Sequence, residues 1–304
     1  MLVFSSSKTL SRISPYLMGL AVCINLSSLI IACVSSSLVF VWLCIEIRVL
    51  RFILILLSSN LSQDYRTTIK YFLFQAMASI LFLLSLTLLK GRKSFSLLIL
   101  IIKLGIAPFH LWFISIIDKI SLLDLIWVSI VQKIIPLRFI LLLKANESFL
   151  LGLGLRFLIS SLHILLQRKL KKIIGASSVY SVCWVLIRRI TCEALRWFFF
   201  LIYRIFQICV LSFRRIRILS PLKSSLTQNS WSYICLLLLV LRISGFPPSP
   251  LFFIKLGVII QFISGGHLGW GLTLGLGARM VIFNYLNIIR ILFTFSPRRH
   301  RVVI

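Results

Sequence analysis

Only six acidic residues accompany 34 lysines and arginines in this 304-residue chain, and one of them, Glu46 in "VWLCIEIRVL", lies deep inside an apolar run. Three lysines share that setting: Lys103 in "IIKLGIAPFHLWF", Lys133 in "IVQKIIPL" and Lys255 in "SPLFFIKLGVI". A charge near a bilayer centre costs on the order of 2.5–3.5 kcal/mol on insertion scales, so each needs a partner or a function. Loss of water favours the uncharged form of such a group, and an opposite charge nearby favours the charged form. A Glu–Lys pair whose separation varies therefore takes up and releases a proton near neutral pH. That is the chemistry of a proton relay. The same residues also fit a static buried ion pair, or lysines that extend to an interface. Extension is awkward for Lys133, near the middle of its span, and easy for Lys255, beside a break in the chain. His110, just after a Gly/Pro break, fits either a proton-passing group or a hydrogen-bonded structural histidine.

The elements that hold these groups are membrane helices. A chain that is 60% hydrophobic, with mean hydropathy +1.06, has too little polar surface to cover a soluble globule of this length. The net charge of +28 does not point to nucleic acid, because the basic residues flank or interrupt apolar windows of membrane-spanning length. Cys23, Cys33, Cys44, Cys183, Cys192, Cys209 and Cys235 form no CxxC pair. They also make no metal-ligand spacing with His110, His163, His267 or His300, so neither a disulfide framework nor a metal site is expected. No Ser–His–acid or Cys–His constellation supports hydrolysis. Gly271 and Gly275 form a GxxxG that reads as a helix-packing surface and not as a phosphate loop.

Apolar windows predict an all-α polytopic protein of about ten spans: 16–34, 37–57, 70–89, 95–117, 122–143, 148–166, 172–190, 194–213, 231–263 and 268–294. Gly105 to Pro108 interrupts the fourth window, and Gly245 to Pro250 interrupts the ninth. Each break falls in the fourth span of a half, which suggests an inverted repeat of five-helix halves, 16–147 and 148–294. An N-terminal extension, 1–15, and a basic tail, 295–304, flank them. Irregular backbone at membrane depth survives only beside a cavity or inside protein, so matched breaks point to a transport site. Two ordinary proline kinks are the alternative. Lys8, Arg12, Arg66, Lys70, Lys119, Arg168 to Lys172, Arg214 to Arg217, Lys223 and Arg298 to Arg301 would share one side with both termini. The other side receives mainly Lys90, Arg92, Lys93, Lys144 and Arg188 to Arg196. "MLVFSSSKTLSRISP" has the composition of a transit peptide but no cleavage pattern, and reads as a retained end.

"KLGIAPFHLWF", "VQKIIPL", "IKYFLFQAMASI", "KKIIGASSVYSVCW" and "ISGFPPSPLFFIK" together resemble the NADH–ubiquinone oxidoreductase chain 2 family, the antiporter-like membrane subunits of mitochondrial respiratory complex I. The resemblance runs over roughly residues 35–290. The short N-terminal part resembles the animal mitochondrial form, which lacks three helices at the start of bacterial relatives. The resemblance implies that Glu46 and Lys103 are a coupled pair, Lys133 the bridging base, and Lys255 the base that hands protons toward the exit. It also implies no nicotinamide, flavin, iron–sulfur or quinone site in this chain, with energy supplied by redox chemistry in other subunits. The implied partners are neighbouring membrane-arm subunits and a surrounding lipid belt, cardiolipin being a candidate; the protons themselves are the only substrate. A structural scaffold with a decayed path, or a cation/proton antiporter subunit, are the alternatives. Some positions depart from the family pattern: Ser181 and Cys183 stand where it has histidine and glycine, Leu165-Leu166-Gln167 replaces a "GLNQ", and the family's last helix is expected to be missing or supplied differently.

Arginine is in excess. Arg48 and Arg51 lie in the Glu46 helix and Arg242 just before the second break, and the family commonly has serine where Arg51 and Arg242 fall. Either these arginines pair with lipid phosphates or partner subunits, or AGA and AGG codons specify serine here, as in many animal mitochondria. Only four methionines beside abundant isoleucine fit the second reading, since the same codes read ATA as methionine.

Overall fold

The computed structural model describes residues 15–35, 37–59, 65–87, 93–143, 147–187, 193–219 and 230–294. The expected extension before residue 15, the basic tail 295–304, and the loop charges Lys8, Arg12, Lys90, Arg92, Lys144, Arg188, Lys223 and Arg298 to Arg301 lie outside the described residues. The described residues are overwhelmingly helical and include no strand.

Helix α3 (Tyr65–Thr87) shows what solvent the fold is built for. It buries Thr67, Thr68, Gln75, Ser79 and Ser85 alongside Tyr71 and Phe82, and turns Ile69, Phe72, Leu73, Met77, Ile80 and Leu84 outward. A helix in water does the reverse, because apolar surface is expelled from water and polar groups keep it. Apolar residues face outward elsewhere as well, with Leu155 67% and Leu272 69% exposed. The outward face is therefore built for an apolar surrounding and not for water.

The chain divides into two compact units, Met1–Phe149 and Leu150–Ile304. In the first, α1 (Pro15–Val34), α2 (Leu38–Ser59), α3 and α4 (Lys93–Leu104) pack in chain order. After α4 come the short α5 (Leu111–Ile117), which lies on α3, and α6 (Leu122–Ile126), a π-helical turn (Trp127–Val131) and α7 (Gln132–Leu142). α7 closes the unit against α4, α2 and α1. The interior is held by aromatic contacts such as Phe52 on Tyr71 (5.1 Å between centroids) and Phe82 on Phe139 (5.8 Å). The π turn was not evident from hydropathy. It lies just ahead of Pro136, whose ring occupies the space of the carbonyl four residues back and which has no N–H to return to it.

The second unit contains all but the first turn of α8 (Glu147–Leu166), with α9 (Leu170–Ile187), α10 (Glu193–Leu219), α11 (Ser230–Ser244), α12 (Pro250–Ser264) and α13 (Leu268–Thr294). α9 is buried without interruption from Ile173 to Ile187, α10 packs on α9, α11 and α12, and α13 on α11 and α12. Its aromatic centre is Phe157, Tyr180 and Trp184, with centroids 4.9 to 6.2 Å apart. Gly277 belongs to this centre by packing: a Cβ there would meet Phe157 Cε1.

Among the described residues, Tyr65–Thr87 and Leu268–Arg290 are long and apolar enough to cross a membrane on length and composition. Other windows read from the sequence resolve into shorter apolar stretches, Ser94–Leu104 and Pro250–Ser264 among them, because breaks and charges interrupt them.

Candidate functional site

Both interruptions are built alike. α4 stops at Leu104 because Gly105 takes φ +63°, a left-handed conformation that side chains with a Cβ resist. Gly105 N–H then donates to Ile102 O (3.0 Å) and Ile106 N–H to Ile101 O (3.1 Å), the Schellman pattern of helix ends. α11 stops at Ser244 in the same way. Gly245 takes φ +79°, its N–H donates to Arg242 O (3.2 Å), and Phe246 N–H donates to Leu241 O (3.4 Å). The Ala107–Pro108 and Pro247–Pro248 peptide bonds are cis.

This pattern leaves the last two carbonyls of each half-helix without a helical donor. In lipid an unmet carbonyl costs several kcal/mol, so a side chain must reach it. In the first unit Gln75 Nε2 donates to Lys103 O (3.4 Å). In the second Lys255, from the next half-helix, donates from Nζ to Ser244 O (3.1 Å). Carbonyl dipoles at a helix C-terminus favour a cation, and both breaks have a buried lysine at that end.

Lys103 pairs with Glu46, Nζ to Oε1 at 3.2 Å. The lysine side chain is 1% exposed and the carboxylate 23%. That difference follows from α2, which buries Ile45, Val49, Phe52 and Leu56 at helical spacing; Glu46 sits at the edge of the stripe, not its middle. A cavity of about 30 Å³ adjoins the pair, lined by Arg48, Tyr71, Gln75, Lys103, Trp112, Gln132 and Lys133 among others. Lys133 Nζ stands 4.4 Å from the centroid of Phe113, a ring face that holds a cation without neutralising it. Three of the expected site residues, Glu46, Lys103 and Lys133, are thus brought together. His110 caps α5, its Nδ1 3.2 Å from Pro108 O, and does not line this cavity. Lys255 belongs to the second unit, where its ammonium faces Tyr180 (5.5 Å) and Trp184 (5.9 Å).

Composition and motif spacing did not mark four buried side chains. Tyr71 donates to Gln132 Oε1 at 2.6 Å. Arg48, read only as surplus charge, donates from Nη2 to Val131 O, a carbonyl of the π turn. Trp112 stacks on Phe74 at 5.8 Å. Arg204 is buried, donating to Gln207 Oε1 at 2.7 Å and lying on Phe200 at 4.6 Å. The available signal was the polar stripe Thr68, Tyr71, Gln75, Ser79 on an otherwise apolar helix.

No protein-family model matches the chain. Its relatives are informative. NADH-ubiquinone oxidoreductase chain 2 of Artemia franciscana is 32% identical over 229 residues, covering 73% of this chain and 72% of that protein. The chain belongs to the NADH-ubiquinone oxidoreductase chain 2 family. The chain 2 proteins of Lumbricus terrestris (29% identical; 90% of this chain, 85% of that one) and Myxine glutinosa (26%; 84% and 79%) extend the match over most of the length. In fold, a chain of the Mrp complex from a Dietzia species is similar with TM-score 0.76 at 15% identity, covering 88% of this chain; this chain spans 59% of that longer one. A chain of respiratory complex I from Thermus thermophilus with bound aureothin gives 0.75 at 18%, covering 92% and 71%. These two likenesses establish that the chain 2 family member described here shares the all-helical fold of those two chains.

Proposed function

We propose that this chain is a proton-translocating membrane-arm subunit of respiratory complex I, NADH:ubiquinone oxidoreductase, in the mitochondrial inner membrane. Protons move through Glu46, Lys103, Lys133 and Lys255, with His110 feeding the first break, and redox chemistry in other subunits drives the movement. The observation that carries this is the Glu46–Lys103 pair: a buried ammonium at the end of an interrupted half-helix, in a chain 2 family member, with a second lysine on the same cavity. Lengthening the pair's separation favours release of the Lys103 proton, and shortening it favours uptake. A coupled subunit needs only to vary that distance.

In this reading the chain crosses the membrane about ten times as two inverted five-helix repeats, 16–147 and 148–294, with both termini on the matrix side. It holds no redox centre of its own. Other membrane-arm subunits and lipid, cardiolipin included, surround it. The antiporter alternative draws support from the likeness to the Mrp complex chain, and predicts ion exchange without redox partners.

The test is proton transfer per electron pair in sealed membranes whose complex carries Lys103→Ala, with assembly followed in parallel. Loss of pumping in an assembled complex is expected. Unchanged stoichiometry would leave the chain as a scaffold.

A further inference from the structure

We infer that Tyr71 and Gln132 are positioning residues of the first-unit proton path, holding a water in the cavity between Lys103 and Lys133. The inference rests on the relay reading above. Tyr71 is fully buried, and its hydroxyl donates to Gln132 Oε1 at 2.6 Å. With its oxygen taken by that bond, the carboxamide keeps its NH2, which only donates, for another acceptor. Gln132 Nε2 is consequently left as a buried donor with no protein partner, and the Trp112 indole N–H is another. Both side chains line the cavity shared by Lys103 and Lys133. A cavity of about 30 Å³ with unused donors is polar and roomy enough for about two waters.

The chemistry needs nothing further. A water there accepts from Gln132 Nε2 with one lone pair and keeps the other for the incoming proton. An N–H bond of the Lys103 ammonium breaks as an O–H bond forms on the water. A different O–H bond of that water breaks as an N–H bond forms on neutral Lys133. One proton moves, the water is regenerated, and no oxidant or reductant takes part. Without the Tyr71 hydroxyl the carboxamide is free to turn its oxygen to the cavity, where it competes for the water's hydrogen instead of orienting its lone pair. Tyr71 thus acts through Gln132 and not as a proton carrier itself.

The experiment uses the assembled complex carrying Tyr71→Phe, which keeps the ring against Phe52 and Trp112. The expected result is a proton-pumping rate lower by about fivefold, the effect of one hydrogen bond, with an increased solvent isotope effect on coupled turnover. NADH oxidation by a soluble acceptor stays unchanged. Gln132→Leu should do the same. Normal pumping and isotope effect in both variants would overturn the inference, and so would a high-resolution map of the unsubstituted complex showing the cavity dry, which needs no variant to fold. Lys103→Ala separates the two levels: if it abolishes pumping while Tyr71→Phe and Gln132→Leu do nothing, only the positioning role fails; if it also does nothing, the relay reading fails with it.

Discussion

Replacing Gly245 with alanine tests whether the second break works through Lys255. Two effects add. Alanine at φ +79° carries the left-handed penalty of about 1–2 kcal/mol. Its Cβ would also lie 2.8 Å from Lys255 Nζ, so the ammonium must leave its place, and with it the bond to Ser244 O at 3.1 Å. A hydrogen bond to a charged group contributes about 1.5–3 kcal/mol, which makes the total about 2.5–5 kcal/mol. Gly266 supplies the control. It ends α12 with the same geometry, φ +80°, Gly266 N–H to Ile263 O at 3.1 Å and His267 N–H to Phe262 O at 3.0 Å, but a Cβ there meets nothing within 4 Å. Gly266→Ala therefore isolates the backbone strain. Proton pumping per electron pair and thermal dissociation of the solubilised complex, measured on both variants, give the comparison. Gly245→Ala should lower pumping and dissociate at the lower temperature, whereas Gly266→Ala should pump normally with a smaller thermal shift. Equal behaviour of the two would refute the claim that the break and Lys255 act as one device.

Two further predictions concern packing and charge. Gly277→Ala drives a methyl into the Phe157 ring at Cε1. Overpacking a filled aromatic centre costs about 1–3 kcal/mol, so the variant complex should dissociate at lower temperature; unchanged thermal stability would show that Phe157 can move aside. Arg51 and Arg204 keep guanidinium nitrogens buried without a hydrogen-bond partner, which serine at those positions would relieve. Peptide masses across 40–60, 195–215 and 235–255 should show serine at Arg51, Arg204 and Arg242, and arginine-specific cleavage there would sink that codon reading.

What could be read from the sequence was what residue type reveals against an apolar background. Glu46 and Lys103 stand out as charges, and they do pair. Gly105 and Gly245 stand out as breakers, and each takes a positive φ at a helix end. The partner of Lys255 was not readable, because it is the backbone carbonyl of Ser244, and a carbonyl is present at every position. Only the geometry of a helix end makes one of them available. The π turn escaped for a related reason: one widened turn leaves hydropathy unchanged, yet it offers Val131 O to Arg48 and sets the position from which Gln132 and Lys133 enter the cavity. Tyr71 and Gln75 escaped because a polar stripe on an apolar helix reads as tolerated noise until the helix is seen to bury it. In water, buried positions are found by looking for apolar residues; on α3 the same search selects the outward face. The cavity shared by Lys103 and Lys133 is lined in part by residues that such a search discards, Tyr71 and Gln75, so in a chain of this kind the polar minority of each helix is where a site should be sought first.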